Sequence, residues 1–382
     1  MKLGQLGRVL VIGSVNVDLY QRTQNGAVLF GESSLDLAPV KGMTLPADSF
    51  VAQQDVACAD AESFVLSMDG PFEQKTGGKG ANAAAAAGQT CACEFLGNFG
   101  GASAAENAVI FTDLAAKNVA TPRATTLPDV PTGTAYILLF DDNDNAIVLI
   151  GGANQEWPEA AALAAPGGKL HAAVTECACV MLQREVPPHV NVAAAKLARD
   201  LGKPVFLDLG GTDAPLDPAL LPYISVIAPN ESELTFVTGV PTSRTDGGVA
   251  PELVREAVAA LKAQFAAAGN SDVEVLVTLG SEGSMHFGSA WSGDAAAAHE
   301  TRMGRFELAT ADGRPRDTTG AGDCYRGSFV AKRYGEGATV EEAMRWAAAA
   351  AACSVEAEGA LTSMPAREDI EARAATSLIE IS

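Results

Sequence analysis

The chain has 382 residues, with 26 Lys and Arg against 47 Asp and Glu and a formal net charge of −21. That acidity makes a poor nucleic-acid partner. With 48% hydrophobic and 19% charged residues there is enough apolar material for a large core, which argues against disorder, and no apolar stretch reaches the ~18 residues of a membrane span.

The first element is a buried strand over residues 9–12, Val-Leu-Val-Ile, ending at Gly13. Four consecutive apolar residues suit the centre of a parallel sheet. No separate hydrophobic region with a cleavage site precedes it, so a secretory signal is not expected. Residues 26–76 break into short alternating pieces interrupted by Pro39, Pro46 and Pro71. They predict an antiparallel flap with an insertion around 47–61. From Gly77 helix and strand alternate, the pattern of βαβ units. A helix is expected over 81–87, a short strand at 95–96 and a second helix over 102–117.

Two hairpin strands follow at 134–140 and 146–150, joined by Asp141-Asp142-Asn143-Asp144-Asn145 with its turn chemistry. Alternation resumes with strands at 179–182, 205–209, 224–228 and 273–279. Segments 241–250 and 288–302 read as surface loops. Three closing helices are expected at 320–334, 340–356 and 366–376. The fold class is therefore α/β: a doubly wound, mainly parallel sheet with helices on both faces. We expect one domain over 1–382, with segments 20–76 and 134–150 building a small β lid.

The seven cysteines, an odd number, show no C-x-x-C pair, which suits a reducing compartment and a cytoplasmic protein. Cys91-Ala92-Cys93 and Cys177-Ala178-Cys179 alternate within apolar runs and read as core residues.

The most informative segment is Asp317-Thr318-Thr319-Gly320-Ala321-Gly322-Asp323, directly before an apolar helix. Gly320, Ala321 and Gly322 leave first-turn amides unobstructed, and an anion fits where the helix dipole and unpaired donors coincide. Asp323 is placed to take a proton from a hydroxyl while the amides hold a phosphoryl group. Taken alone, the segment would serve equally as a turn and helix cap. Other nucleotide fingerprints fail: Lys79 is followed by Gly80, so there is no P-loop, and Gly13 stands without the further glycines of a dinucleotide fold.

A second glycine-rich element, Thr76-Gly77-Gly78-Lys79-Gly80-Ala81-Asn82, also opens a helix, and its Lys79 and Asn82 offer donors to a polar, uncharged ligand. A third, Ser14-Val15-Asn16-Val17-Asp18, follows the first strand, at the carboxyl end of the sheet where open α/β folds bind ligands. Alternation puts Ser14, Asn16 and Asp18 on one side.

These segments, in this order, resemble the ribokinase-like (PfkB) carbohydrate kinase family, and the Gly-Gly-Lys-Gly-Ala-Asn wording is most similar to that of its ribokinase branch. The resemblance implies that Asn16, Asp18, Gly78, Lys79 and Asn82 line a pentose site, with Glu185 of Gln183-Arg184-Glu185 reaching a sugar hydroxyl. Gly151-Gly152-Ala153-Asn154 also matches, though no contact is assigned to Asn154. Asn230 and Glu233 of Asn230-Glu231-Ser232-Glu233 correspond to a motif near the nucleotide phosphates, the Glu organising magnesium through water. By themselves they would be an ordinary helix start. Thr278, Gly280 and Gly283 resemble the family's turn against ATP. Asp317, Thr319 and Ser363 correspond to donors for an activating potassium ion.

The resemblance thus implies transfer of the γ-phosphate of ATP to a primary hydroxyl of a pentose, ribose above others, by a homodimer paired through the lid. Asp323 would act as base, with the amides of Ala321, Gly322 and Asp323 as anion hole. Three features depart from the pattern: a long flap, Cys324-Tyr325-Arg326 after the Asp, and an unusually plain run from Ala83 to Ala87. A nucleoside or another sugar remains an alternative substrate, with Phe50, Phe64 and Phe72 as apolar walls. A phosphorylated sugar would need an Arg cluster that is not evident. A non-catalytic binding protein is disfavoured by the intact Asp323, Gly320, Gly322 and Asn230.

Overall fold

The computed structural model describes residues 7–22, 27–30, 33–36, 44–46, 73–139, 145–212, 214–244, 248–291, 293 and 299–379. The expected insertion at 47–61 lies outside them, as do Phe50, Phe64, Phe72 and Cys58.

The main sheet has nine strands: β1 (Val9–Ile12), β2 (Cys93–Leu96), β3 (Val119–Ala120), β4 (Cys179–Leu182), β5 (Val205–Asp208), β6 (Val226–Ala228), β7 (Glu274–Thr278), β8 (Ser284–Phe287) and β9 (Glu300–Met303). Their order is β9-β8-β7-β6-β5-β4-β1-β2-β3. All pairs from β3 to β7 are parallel, and β8 and β9 add an antiparallel edge. This is the mainly parallel, doubly wound sheet that the alternating pattern predicts. Strand order reverses between β1 and β4, the position at which such sheets open a ligand crevice beyond their carboxyl ends.

Each apolar strand divides its side chains between two cores. Val9 and Val11 of β1 enter one cluster, Leu10 and Ile12 the other. The first face is covered by α1 (Lys79–Gly88), α2 (Ala104–Ala116), α7 (Ala321–Val330), α8 (Val340–Ser354) and α9 (Arg367–Ala374). The second is covered by α3 (Lys169–Glu176), α4 (Pro188–Asp200), α5 (Glu231–Thr238) and α6 (Pro251–Ala267). Cys91, Cys93, Cys177 and Cys179 are buried and free. Burial pushes the Cys91 thiol up to about 12 and that of Cys177 to about 11, which keeps both protonated and inert at neutral pH.

A second sheet of five strands runs Thr44–Pro46, Asn145–Ile150, Gly133–Leu139, Asn16–Arg22, Glu73–Gly77. It is mixed rather than antiparallel as the sequence suggests. Gly133–Leu139 lies parallel to Asn16–Arg22, and Thr44–Pro46 parallel to Asn145–Ile150. The reason is connectivity, because strands separated by excursions through the main sheet are free of the reversal that a tight hairpin imposes. Asn16 and Asp18 therefore lie in this sheet, not in a loop. Ala27–Phe30 and Ser33–Asp36 form a separate hairpin.

Two further differences have local causes. Segment 288–302, read as a loop, ends in strand β9, whose only buried residue is Met303, so the solvated edge shows no apolar alternation. The helix expected over 320–334 is α-helical only to Val330. It closes in a wide turn over Ala331–Gly335, where the Glu336 amide reaches the Ala331 carbonyl at 3.1 Å, five residues back. Among the described residues no helix is long and apolar enough to cross a membrane.

The run of alanines in α1 is explained by burial on every side: each residue from Gly80 to Gly88 is buried. Helix α7 packs directly on it. A Cβ on Gly327 would sit 2.3 Å from the Ala83 carbonyl oxygen. Gly327→Val is therefore expected to force the two helices apart and destabilise the fold by roughly 1–3 kcal/mol, read as a lower thermal midpoint. An unchanged midpoint would refute direct backbone packing here.

Candidate active site

The sugar-side candidates come from four elements at the carboxyl end of the sheet. Gly78 starts α1 with φ +90°, and a Cβ there would lie 2.9 Å from the Asn16 amide, so this chain crossing requires glycine. The crossing brings the Lys79 amide to Glu185, 3.0 Å from Oε2, which also accepts the Ser14 hydroxyl. Ser14 Oγ in turn accepts the Gly80 amide at 3.3 Å. Asn154, given no contact by the sequence, fastens the start of the second sheet. Its Nδ2 donates to Asn16 Oδ1 at 2.8 Å and to the Val15 carbonyl at 3.0 Å, while its Oδ1 accepts the Val15 amide at 3.0 Å.

The sequence places the Lys79 and Asn82 side chains against a ligand, and the structure places both on Asp323. Lys79 Nζ donates to Asp323 Oδ1 at 2.8 Å, and Asn82 Nδ2 to Oδ2 at 3.0 Å. Lys79 Nζ also lies 3.3 Å from Asp208 Oδ2. Burial alone would lower the ammonium's proton affinity, but Asp208 and Asp323 outweigh it and hold it raised. Asp208, missed by the sequence reading, sits at the carboxyl end of β5. Its burial is likewise overcome, by Arg326 and Lys79, so its carboxyl is held low. An acid ending an apolar strand was the available signal.

Asp18 is different. It is 5% exposed and its buried Oδ1 has no hydrogen-bond partner. Burial first, then Glu185 and Asp323, raise its carboxyl well above the usual range. Glu185 is raised by burial too, with Lys79 and Ser14 opposing.

Gly320, with φ +75°, caps α7. The expected anion hole is narrower than the sequence implies, because the Ala321 amide turns back to the Thr318 carbonyl at 3.2 Å. The first-turn amides of Gly322 and Asp323 remain as the donors without a carbonyl one turn behind them. Gly322 and Thr318 line a cavity of about 590 Å³ together with Asn230, Thr278, Gly280 and Gly283. Ala348, Ala351 and Val355 of its wall are apolar. A second cavity of about 390 Å³ is lined by Asn16, Asn154 and Glu185.

Asn230 and Glu233 form a capping box: Asn230 Oδ1 accepts the Glu233 amide at 2.7 Å, and Glu233 Oε2 the Asn230 amide at 2.8 Å. Glu233 Oε2 also lies 3.4 Å from Arg326. Asp317 joins two loops by accepting the Thr319 amide at 2.9 Å on one oxygen and the Gly359 amide at 2.8 Å on the other. Ser363 Oγ donates to the Ala360 carbonyl at 2.9 Å. Helix α2 supports both regions, since Asp113 accepts the Thr76 hydroxyl and Lys117 Nζ donates to the Thr362 and Met364 carbonyls at 3.2 and 2.6 Å.

The raised carboxyl of Asp18 has a thermodynamic consequence. Because it binds its proton more tightly folded than unfolded, its contribution to stability is complete at low pH and is lost as pH rises through the folded value. Asp18→Asn is expected to raise the thermal midpoint of the ligand-free protein at about pH 8, with the gain shrinking toward about pH 5. A midpoint lowered by the substitution at the higher pH would contradict the assignment.

Known proteins resemble this chain in sequence and in fold. The profile of the pfkB family carbohydrate kinase matches residues 57–367. A ribokinase of Arabidopsis thaliana is 36% identical over 241 residues, 63% of this chain and 56% of that protein, so the match spans little more than half the relative's length. A ribokinase of Lactococcus lactis is 29% identical over 376 residues, 96% of each. The structure of Arabidopsis thaliana ribokinase complexed with ribose and ATP superposes with a TM-score of 0.72 at 29% identity, covering 98% of this chain and all of that one. The doubly wound sheet thus has its counterpart in a solved ribokinase structure, and the chain belongs to the pfkB family of carbohydrate kinases.

Proposed function

We propose that the protein is an ATP-dependent kinase that transfers the γ-phosphate to a primary hydroxyl of a pentose, ribose in particular. One observation carries this reading: Asp323 is held by Lys79, whose amide reaches Glu185 of the smaller cavity at 3.0 Å, while its neighbour Gly322 lines the larger one. In this reading Asp323 is the base, the smaller cavity takes the polyhydroxyl and the larger one the nucleotide. The ribokinases with which the chain aligns, one of them complexed with ribose and ATP, support the same choice of substrates.

In this scheme the orphaned Oδ1 of Asp18 accepts a sugar hydroxyl, with Asn16, Gly78 and Glu185 completing the site. Asp323 takes the proton of the attacking hydroxyl. Both its oxygens are already hydrogen-bonded, and a carboxylate retains lone pairs for a third partner. Lys79 fixes its orientation. The amides of Gly322 and Asp323 hold the transferring phosphoryl group, where preorganised donors act most strongly. Asn230, Thr278, Gly280 and Gly283 seat the nucleotide.

Two ions fit the residues present. Glu233 engages Asn230 and Arg326 through Oε2, which leaves Oε1 as an oxygen that can face a hydrated cation. Magnesium held there through water neutralises phosphate charge when bound. Asp317 keeps a lone pair on each oxygen, and Thr319, Ser363 and the carbonyls of the 359–363 loop add oxygen donors of the kind potassium accepts. We assign the five-stranded sheet the role of a lid that excludes water and expect it to pair with a second copy. The buried free cysteines suit a cytoplasmic location.

Asp323→Asn is expected to lower turnover by ~10²–10⁴ while ribose and ATP still bind. Phosphate transfer measured across pentoses, hexoses and nucleosides should favour ribose. Wild-type turnover in the variant, or preference for a nucleoside, would overturn this reading. Exchanging potassium for choline should also reduce the rate, and an unaltered rate would remove the ion from the scheme.

A further inference from the structure

Arg326 lies three residues after Asp323 on α7 and is 2% exposed. A guanidinium carries five donors, and charge-assisted pairs with carboxylates ordinarily close to about 2.7–2.9 Å. Elsewhere in the chain they do: Arg255 grips Glu300 at 2.8 and 3.0 Å, and Arg373 grips Glu356 at 2.9 and 3.0 Å. Arg326 is held loosely. Its Nη1 lies 3.4 and 3.5 Å from the two oxygens of Asp208, and its Nη2 lies 3.4 Å from Glu233 and 3.5 Å from Thr278. Its buried Nε has no partner. The group has been taken out of water without being fully repaid by its neighbours.

Its position says what would complete it. The charged residues lining the larger cavity are Glu231, Arg305 and Arg326, and of these Arg326 alone is buried. A Cβ on Gly322 would stand 2.9 Å from Arg326 Nη1, so the guanidinium abuts the first-turn amides of α7. Lys79, the half-buried cation nearby, is already committed to Asp323 and Asp208. An anion resting on the Gly322 and Asp323 amides lies within reach of donors that lack a full set of acceptors.

We propose that Arg326 binds the terminal phosphates of the nucleotide, bridging β- and γ-phosphoryl oxygens as a catalytic residue. The inference rests on the kinase reading above. In the transfer, the sugar oxygen bonds to the γ-phosphorus, the bond from that phosphorus to the bridging oxygen breaks, its electron pair stays on ADP, and the hydroxyl proton passes to Asp323. Arg326 offsets the negative charge that grows on the departing β-phosphate, a task for which its planar fork is better shaped than an ammonium. A buried counter-ion for Asp208 and Glu233 is the competing role, and it makes no distinction between nucleotides of different phosphate number.

The test is calorimetric titration of wild type, Arg326→Gln and Arg326→Lys with AMP and with a non-hydrolysable ATP analogue, alongside steady-state kinetics with ribose. Arg326→Gln should weaken the ATP analogue at least about tenfold and leave AMP within about twofold, with kcat reduced and the KM for ribose unchanged. Arg326→Lys, which keeps the charge and is the variant expected to fold should the first not do so, should lose part of the discrimination. Equal weakening of AMP and the ATP analogue, or wild-type discrimination in Arg326→Lys, would overturn the inference. Failure of the kinase reading would look different: wild type itself would transfer phosphate to no sugar.

Discussion

The site is organised around the Lys79 ammonium, buried between Asp208 and Asp323. Each of these charges would be costly alone, since an ion removed from water must be compensated by partners at close range. Together they bind three separate parts of the chain: the start of α1, the end of β5 and the first turn of α7. Removing any one member leaves an uncompensated charge, so the cluster holds Asp323 in place and also resists rearrangement. The glycines around it make room for the crossing of backbones that bring the three groups together.

The same cluster divides the active site electrostatically. On the side assigned above to the sugar the acids are under-compensated: Asp18 keeps an orphaned oxygen, and both Asp18 and Glu185 resist ionisation. A ligand rich in hydroxyl donors relieves that condition. On the side assigned above to the nucleotide it is a cation, Arg326, that has donors to spare. Opposite deficits on the two sides of one carboxylate suit partners of opposite hydrogen-bonding character.

Much of this was readable from the sequence because it is local. The Val9–Ile12 run, the two glycine-rich helix starts and the acid in the second of them each carry their meaning within a few residues, and alternation from Gly77 onward fixes the parallel sheet. What escaped was non-local. That the Lys79 and Asn82 side chains turn to Asp323 is decided by the packing of α1 on α7, elements some 240 positions apart in sequence. The Ala321 amide is lost to the anion hole through a turn whose closure no residue type announces. Asp208 reads as an ordinary strand end and Arg326 only as part of a departure from the family pattern, because what each does depends on neighbours distant in sequence. Strand β9 was hidden by having a single buried residue, and the mixed pairing of the second sheet by connections that leave it and return.

The contact between α1 and α7 has a mechanical consequence. Alanine and glycine have no side-chain torsions, so the spacing of these helices is set by main chain against main chain and does not fluctuate with rotamer hopping. Lys79 begins one of them and Asp323 opens the other. The distance between cation and base is thereby governed by the stiffest contact a protein interior offers, and the chain has given up side-chain volume at its centre to obtain that rigidity.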